Sequence, residues 1–366
     1  MGSGRDTAEQ YWVEYNKLQR VKHRLLRRYL GGWYPILTRY NGKVIYLDTH
    51  AGRGRHEGGE LGSPVVAIRT LLEHDQRAMI LNGSEIVFFL IENDETNVEH
   101  LKAEIKGLGP LPEQIKVQIQ HNAFESILDQ IVKALGGPGF ALAPCMIFVD
   151  PFGFRLPVDK LARLLQQDKC DMIINVMWRF VDLALHNPKG QEQHLDALFG
   201  PGNWHDLAAI EDSHTRCDTS IQRIVNRLGA KHYCVMKMLA DNGAIKYVLL
   251  HVANNQKAFD LIKVGWALTP EGSLQVRQSD DPNQEFLIES EADLRPLVRI
   301  LWDQFAGQTV PLSAVYDVVD RSIYKRAHAN ELLRAWRKSG ACDFTGFAGT
   351  FAFKKNPTIE FRTRPK

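Results

Sequence analysis

Cysteine is sparse in this 366-residue chain: Cys145, Cys170, Cys217, Cys234 and Cys342 are odd in number, far apart and never spaced C-x-x-C. That pattern supports neither a disulfide framework nor a zinc site, so free or buried thiols and no metal are expected. Also lacking is any run of eighteen apolar residues, and no membrane helix is expected. The opening Met-Gly-Ser-Gly-Arg-Asp has no apolar stretch of the kind a secretory signal needs, which makes the cytoplasm the expected compartment. Internal repeats and low-complexity tracts are missing too. What is present is ordinary for a soluble globular protein, 44% apolar and 24% charged. The length suits one large domain plus a small one.

The net charge of +2 hides an asymmetry. From Leu294 to Lys366 there are 13 Lys/Arg against 6 Asp/Glu, a net of +7, and the remainder carries −5. A basic C-terminal module on a mildly acidic body points to a polyanion partner, with a merely solvated surface as the plain alternative.

Residues 8–30 read as an amphipathic helix. Tyr11, Tyr15, Leu18, Val21, Leu25 and Tyr29 recur at helical spacing, and Lys17, Arg20, Arg24 and Arg27 form a second, basic stripe. Gly31-Gly32 is expected to stop it. Strands and helices then alternate: strands at 43–47, 85–91, 116–120, 145–149 and 171–176, and helices at 64–72, 96–106, 124–135 and 158–166. Ser63 is expected to cap the helix that Pro64 opens. This alternation predicts a parallel sheet covered by helices on both faces. Asp241-Asn242-Gly243 between two apolar runs, 232–240 and 244–252, is a hairpin signal. A helix over 255–266 follows. A Rossmann-like, mostly parallel sheet ending in an antiparallel hairpin is the plan of class I methyltransferases. The expected division is a basic helical segment at 1–40, that α/β domain at 41–268, a linker at 269–291 rich in Pro, Gly, Ser, Asp and Gln, and a small domain at 292–366.

Four strand tips carry polar residues. The first strand runs into Asp48-Thr49-His50-Ala51-Gly52-Arg53-Gly54, where glycines permit a tight turn and close approach of backbone to a ligand. An ordinary strand-to-helix turn is the alternative. Glu92 ends the next strand, where a carboxylate can accept hydrogen bonds from both hydroxyls of a ribose, whereas Asp94 reads as a solvated acid. Asn122 follows the third strand, where it can either read an adenine edge or cap a helix. Asp150-Pro151-Phe152-Gly153-Phe154 follows the fourth. There a carboxylate and a prolyl carbonyl can accept hydrogen bonds from an exocyclic amine and orient its lone pair, while an aromatic ring stacks on the base. The alternative is a tight turn with buried phenylalanines.

The Asp48-Thr49-His50-Ala51-Gly52-x-Gly54 loop is similar to the S-adenosylmethionine loop of RlmJ-type ribosomal RNA adenine-N6 methyltransferases. Asp150-Pro151-Phe152-Gly153 resembles the catalytic loop of tRNA guanine-N2 dimethyltransferases. The order of a Lys22-His23 helix, that loop, Gly62-Ser63-Pro64, the Glu92 strand and Asp150-Pro151-Phe152-Gly153 most closely resembles the three-Cys-motif partner proteins (TcmP). The resemblance spans roughly residues 18–266 plus a C-terminal winged helix. It implies S-adenosylmethionine as cofactor, bound by Asp48, His50, Gly52, Gly54, Glu92 and Asn122. It also implies Asp150 as the acceptor-side catalytic group with Pro151, Phe152 and Phe154, and a partner carrying three cysteines that looks like a radical S-adenosylmethionine enzyme. One position departs from the aminomethyltransferase pattern: Gly153 stands where an aromatic is usual, so stacking passes to Phe152 or Phe154. A subunit that keeps the fold without catalysing transfer is the rival expectation.

At the C-terminus, helices at 294–305, 312–319 and 328–338 precede wing strands at 341–344 and 350–353, the order of a winged helix-turn-helix. Arg334, Arg337 and Lys338 ride on its third helix, Lys354, Lys355, Arg362, Arg364 and Lys366 extend the charge, and Lys22 joins them as a candidate nucleic-acid contact. Such a domain binds either nucleic acid or protein.

Overall fold

The computed structural model describes residues 12–13, 15–137, 139, 141–266, 275–277, 294–320, 322, 324–345 and 356–362. Two compact units emerge: Met1–Leu261 with Gln275–Gln284, and Ile262–Leu274 with Glu285–Lys366.

In the first unit, β1 (Lys43–Asp48), β2 (Glu85–Glu92), β3 (Ile115–His121), β4 (Cys145–Val149) and β5 (Cys170–Val176) are mutually parallel. They are continued by the antiparallel pair β6 (His232–Leu239) and β7 (Ile245–Ala253), with β8 (Gln275–Arg277) at the edge. The strand order is β3-β2-β1-β4-β5-β7-β6-β8. The sheet is therefore mixed and mostly parallel, with the expected hairpin closing it. β4 and β5 are buried at every position, which is why they read as unbroken apolar runs. The connecting helices supply the other half of the core, Leu161 and Leu165 packing with Ile147 and Met172. All five cysteines are buried free thiols.

The first described helix, α1 (Lys17–Thr38), does not stop at Gly31-Gly32. It continues through both glycines and through Pro35, and its expected start at 8–11 lies outside the described residues. Gly32 packs against the Leu261 side chain, whose Cδ1 would lie 2.3 Å from a β-carbon there and would have to shift. Pro35 has no N–H to give the Gly31 carbonyl one turn back. His74 replaces that donor, its Nε2 lying 2.7 Å from the Gly31 oxygen while its Nδ1 accepts from Gln76. Ser63 is not the cap of α2 (Ser63–Leu72) but its first residue; Gly62 is the cap, and the Ser63 hydroxyl turns to Asp48. The remaining βα connections are α3 (Arg77–Leu81), α4 (Glu95–Lys106), α5 (Phe124–Leu135) and α6 (Val158–Leu165). Between β5 and the hairpin lie α7 (Trp178–His186), α8 (Glu192–Phe199) and α9 (Ser213–Leu228), and α10 (Gln256–Trp266) follows β7. Among the described residues, no helix is long and apolar enough to cross a membrane.

The second unit holds α11 (Arg295–Phe305), β9 (Thr309–Pro311), α12 (Leu312–Asp320), α13 (Arg326–Ser339), β10 (Cys342–Thr345) and β11 (Thr358–Phe361). The strands form an antiparallel sheet in the order β10-β11-β9. Its core is aromatic, with Trp302 edge-on to Trp336 at 5.3 Å and to Phe361 at 5.4 Å. The strand expected at 350–353, most of the linker, and Lys354, Lys355, Arg364 and Lys366 lie outside the described residues.

Candidate active site

Because β1 to β5 are parallel, their C-terminal tips share one edge, where open α/β sheets bind ligands. A cavity of about 640 Å³ opens there, lined by residues following every one of those strands and by α1. Its size falls within the range of small-molecule pockets.

One half is built on the glycine loop. Gly52 and Gly54 have φ of +63° and +80°, a region that side chains other than glycine rarely adopt. The Ala51 N–H donates to the Ile91 carbonyl at 2.8 Å and pins the loop to β2. Gly52 donates its N–H to Glu92 Oε2 at 2.7 Å, and Glu92 Oε1 accepts from the Asp94 N–H at 2.8 Å. Glu92 is thus aimed across the loop by two backbone donors. Asp94 caps α4, accepting from Asn97 at 2.9 Å. Asn122 lines the cavity, and its Oδ1 accepts from the Ala123 N–H at 2.9 Å. His50 also lines it, bonded to Thr49 at 2.7 Å and tilted against Phe124. Burial lowers the His50 imidazole to about 4, outweighing the opposing pull of Asp150 and Glu125, so the ring is neutral near pH 7.

Two loop candidates stand back from the cavity wall. Asp48 is completely buried beneath the loop, accepting from the Tyr46 hydroxyl at 3.0 Å and from the His50 N–H at 3.3 Å. Burial pushes its carboxyl up to about 7 against the opposing Ser63 and Tyr46 hydrogen bonds. Asp48 therefore organises the turn from below. Gly54 faces Gly62, Val65 and Leu101 and closes the loop through its carbonyl, which accepts from the Gly62 N–H at 2.8 Å.

The other half centres on Asp150. Lys22 Nζ lies 2.5 Å from Asp150 Oδ2, and Asn175 Nδ2 donates to Oδ1 at 2.6 Å. Burial would raise this carboxyl, but Lys22 and then Asn175 outweigh it and hold the group below its usual range. Lys22 was expected at a nucleic-acid surface. It is 3% exposed and faces the cavity, because its charge is satisfied by Asp150. The sequence reading also missed Asn175, a lone amide in the apolar strand β5, and Trp12. Trp12 roofs the loop so closely that a β-carbon on Gly52 would fall 2.3 Å from its ring. His23 is lowered to about 3, by burial first and Lys22 second, and bonds the Tyr15 hydroxyl at 3.1 Å.

The aromatics after Asp150 divide. Pro151 and Phe152 line the cavity, with Phe152 58% exposed. Phe154 is 8% exposed and packed in the core edge-on to His194, so it is not available to stack on a ligand. Gly153 turns the chain between them at φ +96°.

No protein-family model matches the sequence, and no curated protein matches it. Among solved structures, the chain is similar to a Legionella pneumophila protein of the family model DUF519, at 12% identity and a TM-score of 0.36, covering 63% of this chain and 84% of that one. It is similar to the methyltransferase domain of bacterial CtHen1-CN at 13% identity and a TM-score of 0.29, covering 63% and 99%. It is also similar to human methyltransferase-like protein 13 in complex with SAH at 14% identity and a TM-score of 0.32, covering 67% and 91%. At these scores none of the likenesses bears on what this chain does.

Proposed function

We propose that the first unit is an S-adenosylmethionine-dependent methyltransferase acting on an exocyclic base amine, N6 of adenine or N2 of guanine, in RNA or DNA. The observation that carries this reading is an ionised Asp150 facing the same cavity as Glu92 and the glycine loop. The residues fit the cofactor: Glu92 offers a ribose acceptor, Asn122 an amide for adenine, and the left-handed glycine loop a wall for the methionine portion. Bound there, the cofactor supplies an electrophilic methyl group. Asp150 and the Pro151 carbonyl would accept hydrogen bonds from the amine and fix its lone pair toward that methyl. Lys22 keeps Asp150 charged through the reaction, and the proton that the methylated amine gives up passes to solvent water at the cavity mouth.

Incubation with labelled methyl donor and bulk nucleic acid, followed by digestion to nucleosides, tests the reading. Label is expected in N6-methyladenine or N2-methylguanine. Asp150→Ala should retain donor binding and lose transfer, and label confined to protein or small molecules would overturn the assignment.

One observation favours a second reading. Both Asp150 oxygens already have partners, and Gly153 stands where a stacking aromatic is usual. A partner subunit that retains the fold for a three-cysteine radical S-adenosylmethionine-like protein would look the same, and activity appearing only in the mixture would favour it. We read the second unit as a winged helix-turn-helix, with Arg334, Arg337 and Lys338 toward phosphates.

A further inference from the structure

α7 starts directly after β5, so its first turn stands at the sheet edge that carries Asp150 and Asn175. Trp178 turns into the core while Arg179 and Phe180 line the cavity, and Leu183 continues the exposed apolar strip one turn on. Phe180 is 44% exposed, and with Phe152 it places two large aromatic rings on the wall of one cavity. Ring area of this size left in water is unfavourable, and it marks a surface that something covers.

Cations stand on the same cavity wall as the rings. Arg155 and Arg179 line the cavity, are exposed and enter no ion pair among the described residues. Some cations elsewhere in this unit are paired, as in Arg27–Glu73 and Lys43–Glu85. Lys246 lines the same cavity. The acids of the wall are Asp150, paired with Lys22, then Glu92 and Asp94, held by the glycine loop and the α4 cap, and Glu125, whose charge acts on His50.

We infer that this mouth, and not only the basic helix of the second unit, is the docking surface for a single-stranded polynucleotide. Phe152 and Phe180 take the faces of unstacked bases, and Arg155, Arg179 and Lys246 take the phosphates. Aromatic rings interleaved with cations recognise single strands in this way, since every base has a face to stack and every linkage a charge. A base inside a duplex offers neither ring face, and it would have to leave its stack to reach Asp150. The inference rests on the proposed base substrate, but not on transfer taking place.

Fluorescence anisotropy on the full chain tests it, with a labelled 15-nucleotide single-stranded RNA, the same sequence as a duplex, and polyglutamate as probes. The single strand should bind more tightly than the duplex and resist competition by polyglutamate. Phe152→Ala with Phe180→Ala should weaken it about tenfold or more, and Phe180→Tyr should keep it, which separates loss of a ring from misfolding. Arg155→Ala with Arg179→Ala should lower the log-log salt slope by about one to two. Unchanged affinity in the phenylalanine double variant, or polyglutamate binding as well as RNA, overturns the inference. S-adenosylhomocysteine calorimetry on the same samples separates the two readings: RNA binding without cofactor binding keeps the docking surface and removes the methyltransferase.

Discussion

Asp48 ends β1 and Asp150 follows its parallel neighbour β4, and their carboxyl groups are driven in opposite directions. Asp48 is enclosed with hydroxyls and a backbone N–H but no cation, and burial raises it to about 7. Asp150 is enclosed with Lys22 and Asn175, and it is held below its usual range. Desolvation acts on both alike, so the difference is the buried cation. One carboxyl is thereby suited to bracing a loop and the other to presenting a charge to a ligand.

Breaking the Lys22–Asp150 pair should give the largest effect. Lys22→Met leaves a buried carboxylate uncompensated, a loss on the order of 3–5 kcal/mol. Urea denaturation at neutral pH should show it, with Asp150→Asn in the same chain restoring most of the stability. Since Asp150 is depressed in the folded state, its stabilisation is present above the ordinary carboxylate pKa and is lost as pH falls through the lower folded value. Lys22→Met should move the acid limb of that profile, and of any transfer activity, upward. A variant as stable as the parent would show that the pair carries no energy.

An effect of opposite sign belongs to Asp48. Its folded pKa lies above its unfolded one, so its contribution is full below about pH 4 and fades as pH rises to about 7. The slope over that window is at most about 1.4 kcal/mol per pH unit. Asp48→Asn cannot ionise and should flatten this part of the stability profile while leaving the Asp150 limb in place. An unchanged slope in that variant would mean that Asp48 is not the group responsible, and the contrast between the two strand tips would fail.

The tips themselves were legible because each strand announces its end with a polar residue after an apolar run, as in Leu47-Asp48, Ile91-Glu92 and Val149-Asp150. The hairpin was legible from Asn242-Gly243. The partners of those tips were not. Lys22 and Asp150 are 128 positions apart, and a basic stripe on an amphipathic helix looks the same whether one lysine faces water or a carboxylate. Gly31-Gly32 and Pro35 have the local chemistry of a helix end, but tertiary contacts with Leu261 and His74 override it. Trp12 over Gly52 is likewise a contact between segments, invisible to spacing. Phe152 and Phe154 are two residues apart and identical in type, yet only the structure separates the exposed ring from the buried one.

The smallest effect is expected on α13, and it sharpens a second contrast, between the basic helix of the second unit and the mouth in the first. Arg334 and Lys338 are exposed, whereas Arg337 is half-buried with its guanidinium 5.2 Å from the centre of the Phe344 ring. Neighbouring charge on that unit is already spent internally: Arg326 pairs with Asp320, and Arg362 with Asp343 and Glu360. Among the described residues this leaves fewer cations for a ligand, and the large aromatic side chains of the core, Trp302, Trp336 and Phe361, are buried and cannot stack on bases. Contacts of that kind neutralise phosphates without reading sequence. Arg334→Ala with Arg337→Ala should weaken binding of single strands and duplexes alike, by less than the loss of Phe152 and Phe180. Each lost contact should flatten the log-log salt dependence by about one, and cofactor affinity should stay as it was. Salt titrations of both variant pairs on one oligonucleotide make the comparison. If the α13 pair costs more affinity than the phenylalanine pair, or alters preference among sequences, then the second unit is the principal reader and the mouth only admits the base.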